Sequence, residues 1–474
     1  GTIADCYYLA DSETDETENT TFKTAEQFKS GEVAYLLQEG QSDKNTTVWG
    51  QLIGTDELPQ LTSENRVYYA SRKTQDNAIL EMFYTNTEGD ILVQVEYDEN
   101  GFNNEYNVYQ PAELKDGVYE ISNAGQLYWF AEYVNESEEH LSANAKLVKD
   151  IVINENVLNK DGSLNGDGSN FRKWIPIGNE DDIYAGRFDG AHHTISGLYL
   201  DSSEEYCGLF RSVGEKGIVE NVGLMDNYMA GKFVGGIAGK NVGTIENCYN
   251  AGIIDAMFAG GIVSYNMKGE ITDCYYTGTI RAEYAGGIAG YHMSGTIENC
   301  HNTGTMDAEY AGGIAVTSEG EIISCYNTGE ISGTEYAGGI AGGNVSTIKN
   351  CYNTGEISGT EYVGSIAGGN YGTIADCYYL ADSETDETEG TTFKTAEQFA
   401  SGEVAYLLQG EQETTVWGQD LSDKSSFPEL NGDKVYYSEN GCHGYSNVEN
   451  EYIEHTLDAD GTHCIVCGKK KPII

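Results

Sequence analysis

Basic residues are scarce in this chain. It carries 26 Lys and Arg against 76 Asp and Glu, a net charge of -50. Nucleic-acid recognition needs clustered Lys and Arg against phosphate, so nucleic acid is set aside as a partner, and anionic membrane surfaces are disfavoured by the same charge. Proline is rare, 5 in 474 residues, and no apolar run is long enough to insert into a bilayer as a helix. No leader, sorting motif or anchor is visible. Low hydrophobicity with high charge would suit a disordered chain. Against that stand 59 Gly and 35 Tyr, placed at regular intervals.

The regularity has a period. Cysteines fall at 248, 274, 300, 325, 351 and 377, steps of 26, 26, 25, 26 and 26, and the pairs Gly235-Gly236, Gly260-Gly261, Gly286-Gly287, Gly312-Gly313 and Gly338-Gly339 keep the same step. A fixed period in the twenties marks one supersecondary unit stacked on itself. Within a unit such as AEYAGGIAGYHMSGTIENCHNTGTMD (282–307), short alternating apolar pieces are split by Gly, Asn, Thr and Ser, with no helical periodicity. This predicts an all-β chain: a right-handed parallel β-helix with three short strands and three turns per coil, stacked about 4.8 Å apart. Ile288, Ile314 and Ile340 form one inward column, Ile297, Ile322 and Ile348 another, and the cysteines a third, as buried thiols rather than disulfides because stacked Cβ vectors do not face each other. The Gly pairs and Thr303-Gly304, Thr328-Gly329 and Thr354-Gly355 are expected to supply unusual backbone angles at corners.

The pattern GGIAG…GTIENCYNTGTI resembles the GLUG repeat of bacterial surface adhesins, which is also found near the N-terminus of IgA1-protease-type peptidases. The resemblance covers residues 230–384. KLVKDIVI (146–153), WIPIG (174–178), YAGRFDGAHHTISGLYL (184–200) and CGLFRSV (207–213) are similar to the irregular coils that precede such repeats. The resemblance implies a secreted or cell-surface bacterial protein.

An open β-helix must be capped at both ends. In ISNAGQLYWFAEYVNE (121–136), Leu127, Phe130, Ala131 and Val134 make a helical apolar stripe that suits the N-terminal cap. FKTAEQFASGEVAYLLQ (393–409) places Thr395 and Gln398 in capping-box spacing and reads as the C-terminal cap, with Gly402 a kink or a break. Residues 372–409 repeat residues 1–38, differing only at Gly390 for Asn19 and Ala400 for Lys29. The expected organisation is therefore 1–60, the last rung and cap of a preceding solenoid; 61–112, a small β linker with a hairpin over 78–101; 113–392, the β-helix; 393–440, the C-terminal cap and extended segment; and 441–474, a Cys/His module.

Three stretches carry candidate chemistry. In the tail, Cys442, His455, Cys464 and Cys467 suit a tetrahedral structural zinc site, with His443 or His463 as substitutes; a redox dithiol, a Cys464–Cys467 disulfide or a flexible tail are the alternatives. Glu283, Glu309, Glu335 and Glu361 recur beside Tyr284, Tyr310, Tyr336 and Tyr362, which reads either as a solvated corner or as a strip binding sugars or a divalent cation. NKDGSLNGDGSN (159–170) mimics the first half of a calcium loop, but Arg172 stands where a bidentate Glu is needed. Calcium is thus the second candidate cofactor, and a polar loop the simpler reading.

The function expected is non-enzymatic: a β-helical stalk or adhesin whose partner is a host or microbial surface glycan or protein. The alternative is a carbohydrate-active β-helix enzyme, a polysaccharide lyase or hydrolase, or the non-catalytic arm of a larger surface peptidase. The rungs are nearly interchangeable, whereas an active site breaks a repeat locally, and the one shortening, at 315–321, carries no catalytic set.

Overall fold

The computed structural model describes residues 6–9, 20–41, 45–61, 64–74, 79–179, 183–382, 388–440, 442–460 and 463–465. The chain forms two compact units, 1–110 and 111–474.

In the first unit, strand Cys6–Leu9 lies parallel to Thr20–Lys23, with Cys6 opposite Thr20. Two short helices follow, α1 (Ala25–Lys29) and α2 (Glu32–Glu39). Thr24 and Gln27 close a capping box, which satisfies backbone donors at the first turn. Gly31 separates the helices at φ 93°, a left-handed conformation that other side chains resist. Trp49–Gly50 then pairs antiparallel with Gln60–Leu61. Among the described residues the expected hairpin over 78–101 does not form. Ile79–Thr85 instead pairs antiparallel with Tyr68–Lys73, and Ile91–Leu92 joins that same central strand in parallel. The Asp90 carboxylate draws it there by accepting hydrogen bonds from the Ser71 backbone (2.9 Å) and hydroxyl (2.6 Å) and from Lys73 (2.6 Å).

The second unit is a parallel β-solenoid. Its coils build sheets of 11, 10, 8 and 7 strands, so each regular coil has four strands rather than the three expected. The extra bend falls at the residue before each cysteine: Asn247, Asp273, Asn299, Ser324, Asn350 and Asp376 all have φ of 51–53°. Asn and Asp tolerate this left-handed conformation because their short polar groups bond locally. The glycine pairs have a different role from the one expected, since none of them lies at positive φ. They are required by space: a Cβ at Gly286 would stand 1.8 Å from the Ala289 carbonyl oxygen, and one at Gly287 would stand 2.1 Å from that of Gly313. Likewise a Cβ at Gly329 would meet the Gly304 oxygen at 1.9 Å.

The interior is layered by column. Ile288, Ile314, Ile340, Ile297, Ile322, Ile348 and all six cysteines of the series have no solvent exposure. The cysteines are unbridged thiols. Each donates to the carbonyl two residues before it, and the amide of one cysteine bonds the sulfur of the next, as in Cys300 to Cys325 at 3.4 Å. Two polar ladders run inside as well. Asn302 donates to Asn327 (2.7 Å) and Asn327 to Asn353 (2.8 Å), while each Asn accepts from the amide two residues on, which explains the recurring Asn-Thr-Gly. In the other ladder, Asn241 donates to Asn266 (3.0 Å), and His292 takes the next Asn position.

At the N-terminal end α3 (Ala124–Glu136) buries Leu127, Phe130, Ala131 and Val134, with Phe130 against Tyr184 and Phe188. At the other end, strand Cys377–Leu380 leads by way of Thr391–Lys394 to α4 (Ala396–Ala400) and α5 (Glu403–Gln409). Gly402 breaks this cap into two helices at φ 88°. Phe399, Val404, Leu408 and Trp417 cluster there with Tyr352 and Tyr378 from the last coils.

Candidate functional site

Beyond the cap, Tyr436–Ser438 and Gly444–Ser446 pair as a tight hairpin, whose turn carries Cys442 and His443. The Cys442 amide donates to the Ile453 carbonyl (2.8 Å), and the Ile453 amide to Asn440 (2.9 Å), which brings the following chain back beside the turn. A second reversal sets Leu457 opposite Cys464, fixed by Ile465 N–H to the Thr456 carbonyl (2.8 Å). These two reversals bring Cys442, His455 and Cys464 together, with ligand atoms within 4.8 Å of one another. Both sulfurs are buried, and they stand 3.4 Å apart. A disulfide needs about 2 Å, whereas two thiolates on one tetrahedral zinc stand about 3.8 Å apart. The spacing is close to that of metal ligands, and two thiols with one imidazole are a borderline-soft donor set that suits zinc.

Three of the four ligands expected from the sequence thus converge. The fourth, Cys467, lies outside the described residues. Neither substitute histidine joins the group: His443 packs edge-on against Tyr437, and His463 faces Asp458 at 3.7 Å.

The tyrosine column forms a ladder. Phe233, Phe258, Tyr284, Tyr310, Tyr336 and Tyr362 stack face to face, with successive centroids 4.4–5.7 Å apart. The parallel register of the strands enforces this by placing each ring directly over its counterpart. Inside the ladder the ring faces are occupied by neighbouring rings, so edges and hydroxyls point outward. Tyr362 is the last ring and is 49% exposed. Glu283, Glu309 and Glu335 run alongside, half-buried, and Glu361 is exposed. The Glu309 carboxyl is raised above its ordinary pKa, first by shielding from water and then by the charges of Glu335 and Glu283. Tyr310 donates its hydroxyl to Glu335, which raises the phenol pKa. The strip therefore presents carboxylates and phenol edges at rung spacing.

A second ladder runs along the ten-stranded sheet. Tyr249, Tyr275, His301, Tyr326 and Tyr352 stack at 4.6–5.0 Å. Both His292 and His301 are held neutral, with pKa values pushed down to about 4 by burial.

The polar loop at 159–170 satisfies its own carboxylates. Asp161 accepts from Ser163, and Asp167 from Ser169, in local turns.

Comparison with known proteins agrees with the repeat. The family model of the GLUG motif matches residues 282–306 and 333–358. A protein of Evansella cellulosilytica named "Putative Gly-rich membrane protein" is 34% identical over 79 residues, 16% of this chain and 9% of its own length. Halomucin of Haloquadratum walsbyi is 29% identical over 173 residues, 36% of this chain and 2% of its own length. The chain therefore spans only a small part of these relatives. A solved structure described as a "putative immunoglobulin A1 protease from Bacteroides ovatus" aligns at a TM-score of 0.43 and 19% identity, over 69% of this chain and 96% of its own. The chain therefore carries GLUG motifs on a parallel β-solenoid.

Proposed function

We propose that this chain is a non-enzymatic part of a bacterial surface or secreted protein, a β-helical stalk whose Tyr/Glu strip binds a surface glycan or protein. The strip is the observation that carries the reading: Tyr284, Tyr310, Tyr336 and Tyr362 with Glu283, Glu309, Glu335 and Glu361 form one continuous outward face. A membrane-protein relative and the large size of both relatives support a surface location. With the inner ring faces already stacked, ligand contacts along the strip are hydrogen bonds to carboxylates and phenols, and a sugar ring stacks only on the open end at Tyr362. Glycan-array binding tests this. Tyr362→Ala is expected to abolish binding of stacked sugars, and Glu309→Gln with Glu335→Gln to weaken polar ligands. Binding unaffected by all three changes would sink the strip as the ligand face, and release of product from polysaccharide substrates would overturn the non-enzyme reading.

In the tail, Cys442, His455 and Cys464, with Cys467 as fourth ligand, hold a structural zinc that replaces a hydrophobic core in so small a module. Metal analysis is expected to find one zinc per chain, lost in Cys442→Ser/Cys464→Ser. Zinc content unchanged by that pair of substitutions removes the site.

A further inference from the structure

The cap module occurs twice, and its two copies keep one plan even where their sequences part. Gln38 accepts from the amides of Val48 and Trp49, as Gln409 does from Val416 and Trp417. The Gln51 amide donates to the Asn65 carbonyl, as the Gln419 amide does to that of Asp433. The next four residues are Arg66-Val67-Tyr68-Tyr69 in one module and Lys434-Val435-Tyr436-Tyr437 in the other. Around them the sequence changes, ENRVYYASRK (64–73) against GDKVYYSENG (432–441). The position before Val-Tyr-Tyr is nonetheless basic in both, in a chain where only 26 of 474 residues are Lys or Arg.

The two cations are also placed alike. The Arg66 guanidinium lies over the Tyr68 ring, 5.5 Å from its centroid, and the Lys434 ammonium lies over the Tyr436 ring at the same 5.5 Å. Among the described residues neither has a carboxylate partner. Another lysine of each module does: Lys23 pairs with Glu32, and Lys394 with Glu403.

In the C-terminal module the cation stands at a cleft. Tyr406, Gln412, Lys434, Tyr436, Tyr437 and Glu449 line a space of about 230 Å³. Tyr406 and Tyr437 are exposed, with centroids 6.0 Å apart. Glu449 lies two residues past Asn447, which ties this hairpin to the cap through the carbonyls of Gln419, Asp433 and Lys434. In the first unit Asn86 makes the same tie, and Tyr35, Tyr69 and Glu88 hold the positions of Tyr406, Tyr437 and Glu449, with Tyr35 and Tyr69 5.8 Å apart. A cation recognises a carboxylate through charge-assisted hydrogen bonds. A carboxylate accepts from hydroxyls, and a tyrosine offers an apolar face beside a polar tip. A hexuronate carries all three complements on one six-membered ring: a carboxylate, several hydroxyl donors and an apolar face.

We propose that this cleft, and the matching face of the first unit, each bind a single hexuronate of a surface glycan, with its carboxylate on Lys434 or Arg66, its hydroxyls on Glu449 or Glu88, and its ring against Tyr437 or Tyr69. The net charge of -50 selects an isolated uronate in a mostly neutral glycan over a long polyanion, which the rest of the surface would repel. These sites are separate from the Tyr/Glu strip and do not depend on it.

The test titrates the full chain with glucuronate, with glucose and acetate as the two halves of its chemistry. Hydrogen exchange reads the segments 64–70 and 432–438 separately. Glucuronate is expected to slow exchange in both, with glucose and acetate each weaker by about tenfold or more. Lys434→Gln is expected to remove the effect at 432–438 and leave that at 64–70, and Arg66→Gln to do the reverse. Lys434→Arg keeps the charge over Tyr436 and is expected to bind. No response to glucuronate, or a response that survives Lys434→Gln with Arg66→Gln, overturns the proposal. An equal response to glucose removes the role of the cation, and an equal response to acetate removes the sugar; either result overturns it as well. So does a Lys434→Arg chain that fails to bind while exchange over 391–430 stays native.

Discussion

The modules at 6–86 and 377–447 begin from nearly one sequence and end in different states. Both form the parallel strand pair, the capping box, the glycine break between helices and the Trp–Leu bridge. Both close with a tyrosine trio, Tyr35, Tyr69 and Tyr84 in one, Tyr406, Tyr437 and Tyr445 in the other. Both are tied by one asparagine: Asn86 donates to the carbonyls of Gln51, Asn65 and Arg66, and Asn447 to those of Gln419, Asp433 and Lys434. Yet Trp417 and Phe399 are fully buried, while Trp49 and Phe28 are half-buried. Local structure is written in the segment itself; burial depends on the coil that stands against it.

The largest expected effect separates the modules at this point. Trp417→Ala removes a fully buried indole and should cost about 3–5 kcal/mol of local stability. Trp49→Ala should cost only about 1–2 kcal/mol, because less area leaves contact. Hydrogen exchange over 391–430 and 20–61 reads both. Equal losses would mean that Trp49 is already in a closed core.

Acid should also split the molecule. His292 and His301 have folded pKa values of about 4, below the ordinary value of about 6.5. A depressed histidine contributes stability that is present above the unfolded pKa and is lost as pH falls through the folded one. Between pH 6.5 and 4 the solenoid should lose on the order of 2–3 kcal/mol per ring. Residues 1–110 contain no histidine, so no such loss is expected there. His292→Asn with His301→Tyr, which restore the ladder residues of other rungs, should remove this acid sensitivity. Pulse proteolysis against pH measures it, and a first unit that fails in the same window would contradict the assignment.

The smallest effect should be equal in both modules. Thr24→Ala and Thr395→Ala each delete a capping-box acceptor and should cost about 1 kcal/mol. Unequal costs, read by exchange in α1 and α4, would show that the box depends on its surroundings.

Much of the solenoid was legible because stacking makes each inward position recur, so Ile297 and Cys300 announce themselves through Ile322 and Cys325. The left-handed bend also has a sequence signal, the Asn or Asp before most cysteines, since these residue types tolerate positive φ. The glycine pairs have a cause other than backbone angle: the first of each pair meets a carbonyl of its own coil, as Gly286 meets Ala289, and the second meets that of the next coil, as Gly287 meets Gly313. In the tail, residue type and spacing pointed to Cys442, His455 and Cys464; only the two chain reversals placed them together and left His443 and His463 aside. The extent of the cap module was obscured because unbroken identity stops at Gln38 and Gln409 and returns only in TTVWGQ, at 46–51 and 414–419, while Asn86 and Asn447 bind the backbone through sequence that has diverged.

The sequence by itself determined the period, the inward columns, the two caps and their boxes, because these follow from alternation and from contacts a few residues apart. Only the tertiary structure decided which tyrosine faces are spent on one another, which glycines are steric necessities and which of two near-identical caps has a closed core. Most of those outcomes depend on atoms about one rung, or some 25 residues, away in the chain, which only stacking brings within contact; the first glycine of each pair is instead fixed by the bend of its own coil, as Gly286 is by the Ala289 carbonyl.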